Sequence, residues 1–438
     1  MATQYAELLG AQRAYYKTGA TRSVEARKQA LNSLRRMVEE NIEAIGKAYE
    51  RDLARGKQVA LFECNTMCDR INYQLEHLEE WMRATELPVV CPLSKEAGDT
   101  LLLVKEPLGV VLNIAPWNGP VTSLGGNMYP LAAGNTVIFK PSELAPCCAT
   151  LWEDLAPKYF DRNEFAVVTG GVAETTELLK ERFDHIFYTG SSAVARIVMA
   201  AAARHLTPVT LELGGKNPTF VDDTADIDQA AESLIRAKCY GAGQVCICPD
   251  YVLVTPKVKS ELIGVLKTKL QAEGDLTKRE FFGRIIHERA FDRLEDLLRQ
   301  SKGTVVGRSG TPDRNSLHFP VTVVEVAEGD ALLEDELFGP ILPILEVRGL
   351  DEAIAHIHNG EKPLAAYAFT KNDQVARRFV SEVSAGGVTV NDVMMHTSTA
   401  VAPFGGVGGS GMGRIMGKYG FEAFTHEKAV ALRKGTAI

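Results

Sequence analysis

The feature that most constrains this chain is a long alternation of short apolar runs with helical segments. The runs TLLLVKEPLGVVLNIAPW, NTVIFKPS, EFAVVTGG, DHIFYTGS, PVTLELGG and DYVLVTP read as strands, with helical stretches such as 142–157 and 191–204 between them. Strands of this kind, separated by helices, predict a largely parallel sheet covered on both faces. A second alternating set follows, from FFGRIIHERAFDRLEDLLRQ through GTVVG, HFPVTVVEV, PILPILEV, EAIAHIHN and LAAYAFT to GGVTVND. Two α/β units in tandem make a cleft in which a cofactor and a reactive group can meet. Ahead of them, residues 22–54 read as helix. Leu31, Leu34, Val38, Ile42 and Ile45 recur at spacings of three and four, and Gly56 suits a stop. A second helix is expected at about 62–83. The last forty or so residues are Gly-rich and irregular around PFGGVGGSGMG.

Charge and cysteine usage narrow the function classes. With 48 basic and 56 acidic residues the formal charge is −8, and no basic run offsets it, which disfavours nucleic acid and anionic membrane surfaces. Eight cysteines scattered over 438 residues do not form a disulfide framework and predict free thiols in a reducing compartment. The start MATQYAELLGAQ lacks the pattern of a secretory signal, and no apolar stretch reaches the ~18–20 residues of a membrane span. A cytoplasmic protein without a membrane anchor is expected.

Five stretches carry possible chemistry. In IFYTGSSAVARIVM a strand, Gly190 and a helix suit a pyrophosphate on helix N-terminal amides, or an ordinary tight turn. In TVIFKPSELAP, Ser142 is placed to cap the next helix with Glu143 in its first turn; alternatively Lys140 and Glu143 hold ribose hydroxyls. In VTLELGGKNP, Glu212 points away from its neighbours Leu211 and Leu213, either to solvent on an edge strand or into a cleft where burial raises its pKa toward that of a general base. In IAPWNGP, Asn118 is held between two prolines, as an oxyanion donor or as a partner of its own turn. In YGAGQVCICPDY, Cys246 and Cys248 follow two glycines. A nucleophilic cysteine there must become a thiolate. The C-x-C spacing, with no second Cys or His pair nearby, fails a zinc site, so no metal is expected. Cys64 and Cys68, at i and i+4, face a helix core.

Together these stretches resemble the NAD(P)-dependent aldehyde dehydrogenase superfamily, in particular its class 3 branch. The resemblance runs from about residue 10 to 433 and rests on PWN, KPSE, YTGS, LELGGK, GQVC, ELFGP and GGVTVNDVMMH…PFGGVG, all in family order. It implies a fold with a Rossmann-type cofactor domain (1–83 and 106–211), an α/β catalytic domain (212–392), and a small β oligomerisation arm with the C-terminal region (84–105 and 393–438). It implies Cys246 as nucleophile, Glu212 as general base, and Asn118 with the Cys246 N–H as oxyanion donors. For NAD or NADP it implies Lys140, Glu143, Gly190, Ser191, Leu213, Gly214, Glu336 and Phe338. The implied activity is oxidation of an aldehyde to a carboxylic acid through a thiohemiacetal and a thioester, by a homodimer. A coenzyme A-acylating relative, a cofactor-independent esterase and a structural protein with a vestigial site are the alternatives. Two positions depart from the family pattern. Ala195 stands where relatives carry a second glycine, and Gly119 where they often carry an aromatic. The methyl of Ala195 is expected to crowd the helix–strand contact or to shift the pyrophosphate, and the missing ring at 119 to widen or reshape the aldehyde entrance.

Overall fold

The computed structural model describes residues 4–434 and contains three sheets. The first has five parallel strands, in spatial order Phe165–Val167, Thr136–Lys140, Val110–Ile114, His185–Thr189 and Val209–Glu212. Numbered along the chain, that order is 3-2-1-4-5, the doubly wound pattern. The strand direction of winding reverses between Val110–Ile114 and His185–Thr189, which are adjacent. Alternate residues of each strand enter different cores. Val110, Leu112, Ile114, Ile186 and Tyr188 pack with Leu8, Leu9 and Val198, while Val111, Val137, Phe139 and Phe187 pack with Leu31, Leu34 and Trp152. Both faces are therefore dry, which is why these strands read as continuous apolar runs. The buried Asn113 within the central strand donates to Asn127 at 2.8 Å, so its polarity is satisfied.

The second sheet has seven strands, in the order Thr304–Arg308, Thr322–Val326, Ile341–Glu346, Tyr251–Val254, Pro218–Val221, Ala365–Phe369 and Gly387–Val390. Only the first of these runs antiparallel to its neighbour. The third sheet is small. Thr100–Pro107 lies between Thr85–Leu87 and Thr425–Leu432, all antiparallel, with eight paired positions along the last. The C-terminal segment does more than supply that strand. Gly411–Met412 pairs antiparallel with Val209–Glu212 and extends the first sheet by one short strand. Phe421 and Phe424 are fully buried in the core beneath that sheet.

Several local expectations are corrected. Residues 22–54 form two helices, Val24–Glu39 and Ile42–Leu53, because the Asn41 side chain donates to the Met37 carbonyl and closes the first one. The helix expected at 62–83 begins earlier, at Lys57. Ser142 does not cap a helix, and Glu143 is not in a first turn. The Ser142 hydroxyl accepts from Leu144 N at 3.2 Å in a local turn, and the helix starts at Pro146. A proline at that position biases the preceding residue out of the helical region. The strand Pro218–Val221 was not expected, since a proline opens it and two glycines precede it closely.

Candidate active site

The turn that carries Cys246 is built from a helix end. Helix Ile227–Cys239 stops, and Gly241, Ala242 and Gly243 follow with φ of 62°, 54° and 69°. Three consecutive left-handed residues reverse the chain sharply, and glycine is needed at two of them. A Cβ at Gly243 would lie 2.5 Å from the Gly339 carbonyl oxygen, and one at Gly241 would lie 2.3 Å from Nη2 of Arg55. Ala242 bears the left-handed conformation without that freedom.

Two side-chain amides then fix the segment. Gln244 Nε2 donates to Gly241 O and Arg284 O, both at 2.9 Å, and its Oε1 accepts from Ile286 N at 3.1 Å. Asn217 Nδ2 donates to Cys246 O at 2.8 Å and Cys248 O at 3.0 Å, while its Oδ1 accepts from Ala365 N at 2.9 Å. Asn217 thereby clamps the backbone on both sides of Ile247.

Cys246 and Cys248 diverge. Cys246 is half-buried, whereas Cys248 is buried in the second sheet's core, its Sγ 3.6 Å from the carbonyls of Ala237 and Pro249. All eight cysteines are free. The Cys246 thiol is pushed up to about 12 by burial first, then by Glu336 and Glu212. Those two carboxylates are therefore its electrostatic neighbours.

Glu212 ends the fifth strand of the first sheet. It is buried, and neither carboxylate oxygen has a hydrogen-bond partner among the described residues. Burial alone holds its pKa well above the usual carboxylate range. It is not an edge residue facing solvent, because Gly411 pairs across from it. A buried carboxyl without partners favours its neutral form.

Asn118 follows the central strand, in the turn at its carboxyl end. Its Nδ2 donates to the Gln244 carbonyl at 3.0 Å, which puts this amide beside the nucleophile turn two residues before Cys246. Glu336 lies against LELGGK: a Cβ at Gly214 would be 2.2 Å from its carboxylate, and the carboxylate accepts from Gly215 N–H. Burial, then Asp250, pushes Glu336 up to about 8. Phe338 adopts a left-handed φ of 45° and meets Trp117 edge-to-face at 5.8 Å. Leu213 is buried and donates its N–H to Ser410 O at 3.0 Å.

A second group lies along the carboxyl ends of the first sheet. Lys140 is buried and donates to Pro141 O at 2.8 Å; burial lowers its pKa, opposed by Glu143 and Glu174. Glu143 is exposed, with its Cγ 3.7 Å from where a Cβ on Gly171 would stand. Gly190 and Ser191 lead into helix Ser192–Ala203, and Ser191 Oγ accepts from Val194 N. A Cβ at Gly190 would meet the Tyr188 hydroxyl at 2.2 Å, and Gly190 N donates to Glu212 O at 3.0 Å, tying this turn to the strand end that carries Glu212. The methyl of Ala195 does sit in the helix–strand contact, 2% exposed in the core with Val110 and Leu112.

The whole chain is also similar to known proteins. A family model described as "Aldehyde dehydrogenase family" matches residues 2–430. The chain belongs to the aldehyde dehydrogenase family. Its relatives include a mouse "Aldehyde dehydrogenase, dimeric NADP-preferring", 42% identical over 95% of this chain and 92% of that protein. A bovine "Aldehyde dehydrogenase family 3 member B1" is 40% identical, over 98% and 92% of the two chains. Among solved structures, "Substrate bound state of Staphylococcus Aureus AldH" superposes with a TM-score of 0.93 at 36% identity, covering 99% of this chain and 94% of that one. The protein is thus an NAD(P)-dependent aldehyde dehydrogenase, oxidising an aldehyde to an acid through a cysteine thiohemiacetal and thioester. Among the described residues no helix is long and apolar enough to cross a membrane.

Three features of this dehydrogenase escaped sequence reasoning. The Asn217 clamp follows LELGGK directly, yet a single amide gives no pattern to find. Trp117 sits inside PWN, but its contact with Phe338, over 200 residues away, is visible only in the fold. Gln244 lies inside GQVC, and its three bonds explain why a long amide stands before the nucleophile.

Proposed function

We propose that Cys246, Glu212 and Asn118 carry the chemistry of this dehydrogenase, and that the dinucleotide lies along the carboxyl ends of the first sheet. The observation that carries the reading is the buried, unpartnered Glu212 carboxyl beside the Cys246 thiol. Such a group is expensive to keep unless it has work to do.

The Cys246 sulfur adds as thiolate to the aldehyde carbonyl carbon, its proton having passed to the ionised form of Glu212, which returns it to solvent before the deacylation step. Asn118 Nδ2 and the Cys246 N–H stabilise the oxyanion. When bound, NAD or NADP supplies the nicotinamide ring that accepts hydride. Oxidation of the adduct leaves an acyl thioester on Cys246. Glu212 then takes a proton from water, whose oxygen attacks the acyl carbon, releasing the acid and restoring the thiol.

The residues present fit a dinucleotide. The chain reversal between the central and fourth strands is where doubly wound sheets bind such ligands. Gly190 itself carries no side chain ahead of a twelve-residue helix, and apart from Val194 N–H, which Ser191 Oγ takes, the first-turn amides suit a pyrophosphate. Lys140 and Glu143 would hold the adenosine ribose, Gly190 and Ser191 the pyrophosphate, and Glu336 the nicotinamide ribose. Leu213, Gly214 and Phe338 would line the ring. We assign residues 1–83 and 106–211 to cofactor binding, 212–392 to catalysis, and the third sheet to oligomerisation. Thr425–Leu432 has one free edge and mostly exposed side chains, which suits pairing with a second copy in a homodimer. Free cysteines throughout suit a cytoplasmic setting.

The test is peptide mass spectrometry of enzyme quenched during turnover with an aliphatic aldehyde. An acyl adduct on Cys246, with formation of reduced nicotinamide at 340 nm, supports the reading. An adduct on Cys248 instead, or turnover after Cys246 is blocked, overturns it. Product release that requires coenzyme A would reassign the deacylation step.

A further inference from the structure

We propose that Arg55 is a positioning residue that locks the Asn118 turn onto the nucleophile turn. The inference rests on the roles given above to Asn118 and Cys246.

Arg55 lies two residues past helix Ile42–Leu53 and is 2% exposed. Its Nη1 donates to the backbone carbonyl of Asn118 at 2.7 Å. The other arm of the same guanidinium lies against Gly241, where a Cβ would stand 2.3 Å from Nη2. Its central carbon is 6.0 Å from the ring centroid of Tyr240. From the far side, a Cβ at Gly283 would approach the Arg55 side chain to 2.8 Å. Gly241 and Gly283 both take left-handed φ, 62° and 74°, so the chain bends around the guanidinium on two sides.

Among the described residues Arg55 makes no ion pair with a carboxylate. A buried cation without a counter-charge is costly, and helix packing alone does not require one. What this group does is add a second link between the Asn118 turn and the Gly241 turn, beside the direct Asn118 Nδ2–Gln244 O bond. Asn118 is then fixed at both ends: its carbonyl by Arg55 and its side-chain amide by Gln244 O. The planar fork matters. A lysine has one point donor and cannot bond Asn118 while lying flat against Gly241 and Tyr240. A reacting geometry that drifts by about 1 Å loses on the order of 100-fold in rate.

The test is a double-mutant cycle of Arg55→Met and Asn118→Ala, with kcat, KM, cofactor Kd and Tm measured for each. Arg55→Met is expected to lower kcat roughly 10- to 100-fold, with aldehyde KM and cofactor Kd within about two-fold. The double variant should be no slower than Asn118→Ala alone, because Arg55 acts through that residue. A wild-type kcat for Arg55→Met, or losses that multiply in the double variant, overturns the inference. Where Arg55→Met does not fold, Arg55→Lys keeps the charge without the fork and serves the same cycle with the same criteria. If Asn118→Ala runs at the wild-type rate, it is the oxyanion assignment that falls. If Asn118→Ala is slow and the losses multiply, only the role of Arg55 falls.

Discussion

The nucleophile turn and the strand end carrying Glu212 face the same reaction space and are built in opposite ways. The turn is over-determined. Gln244 and Asn217 between them make six hydrogen bonds to its backbone and surroundings, and three left-handed residues leave the chain no other course. Glu212 sits on an equally rigid strand, yet among the described residues its carboxyl touches no hydrogen-bond donor. The difference teaches that position and reactivity are supplied separately. Many bonds to backbone place the sulfur, while burial without bonds to the carboxyl raises its pKa.

The sharpest way to break the comparison is at the sulfur. Cys246→Ala should lower dehydrogenase kcat by about 1,000-fold or more. Cys248→Ala should stay within about three-fold, losing mainly core packing. Comparable losses for both, in steady-state assays of reduced nicotinamide, would mean that the turn does not distinguish them.

Next comes the base. Glu212→Gln should slow deacylation about 100-fold and show a burst of reduced cofactor in stopped-flow absorbance. The same change should raise stability. The folded-state pKa of Glu212 is raised, so the wild type loses stability as pH climbs from the unfolded value near 4.5 toward the folded one. The glutamine variant escapes that loss. Its Tm advantage should therefore be larger at pH 8 than at pH 5, by calorimetry. An advantage that shrinks as pH rises would contradict the buried neutral carboxyl.

On the turn side, Asn217→Ala leaves three buried backbone groups without their partner. A loss of roughly 2–3 kcal/mol in urea unfolding is expected, together with lower kcat. The smallest effect concerns Glu336, which raises the Cys246 pKa and is itself pushed up to about 8. Glu336→Gln should speed alkylation of Cys246 by iodoacetamide a few-fold. The acceleration should appear mainly above pH 8, where the wild-type carboxylate is charged. An equal acceleration at pH 6, where the carboxyl is neutral, would show that its charge is not the cause, and no acceleration at either pH would place Glu336 too far away to matter.

The strands of the first sheet were legible because both faces are buried, so apolar runs such as VVLNI and TVIFK have no polar alternate to disguise them. Cys246 was legible only through the resemblance carried by GQVC in company with six other motifs. Extended backbone would have pointed Cys246 and Cys248 the same way and a helix would have separated them, and nothing local chooses. The fold chooses a turn closed by Cys248 N donating to Val245 O at 2.8 Å, which sends the second thiol into the core. The helix break at Asn41 and the late start at Pro146 were missed for a related reason: side-chain bonds to backbone compete with periodicity and leave little trace in it.

What the sequence determined by itself is the inventory: two α/β units, a glycine-rich turn before a cysteine, a carboxylate flanked by leucines, and an amide between prolines. Hydrophobic periodicity and the conformational limits of glycine and proline are local properties, so a linear chain expresses them directly. What only the tertiary structure decided is the company those residues keep. The raised pKa of Glu212, the elevation of the Cys246 thiol and the bridge from Arg55 to Asn118 all depend on burial and on partners tens to hundreds of residues away. Desolvation and charge coupling act through space, and they exist only once the sheets have closed around them.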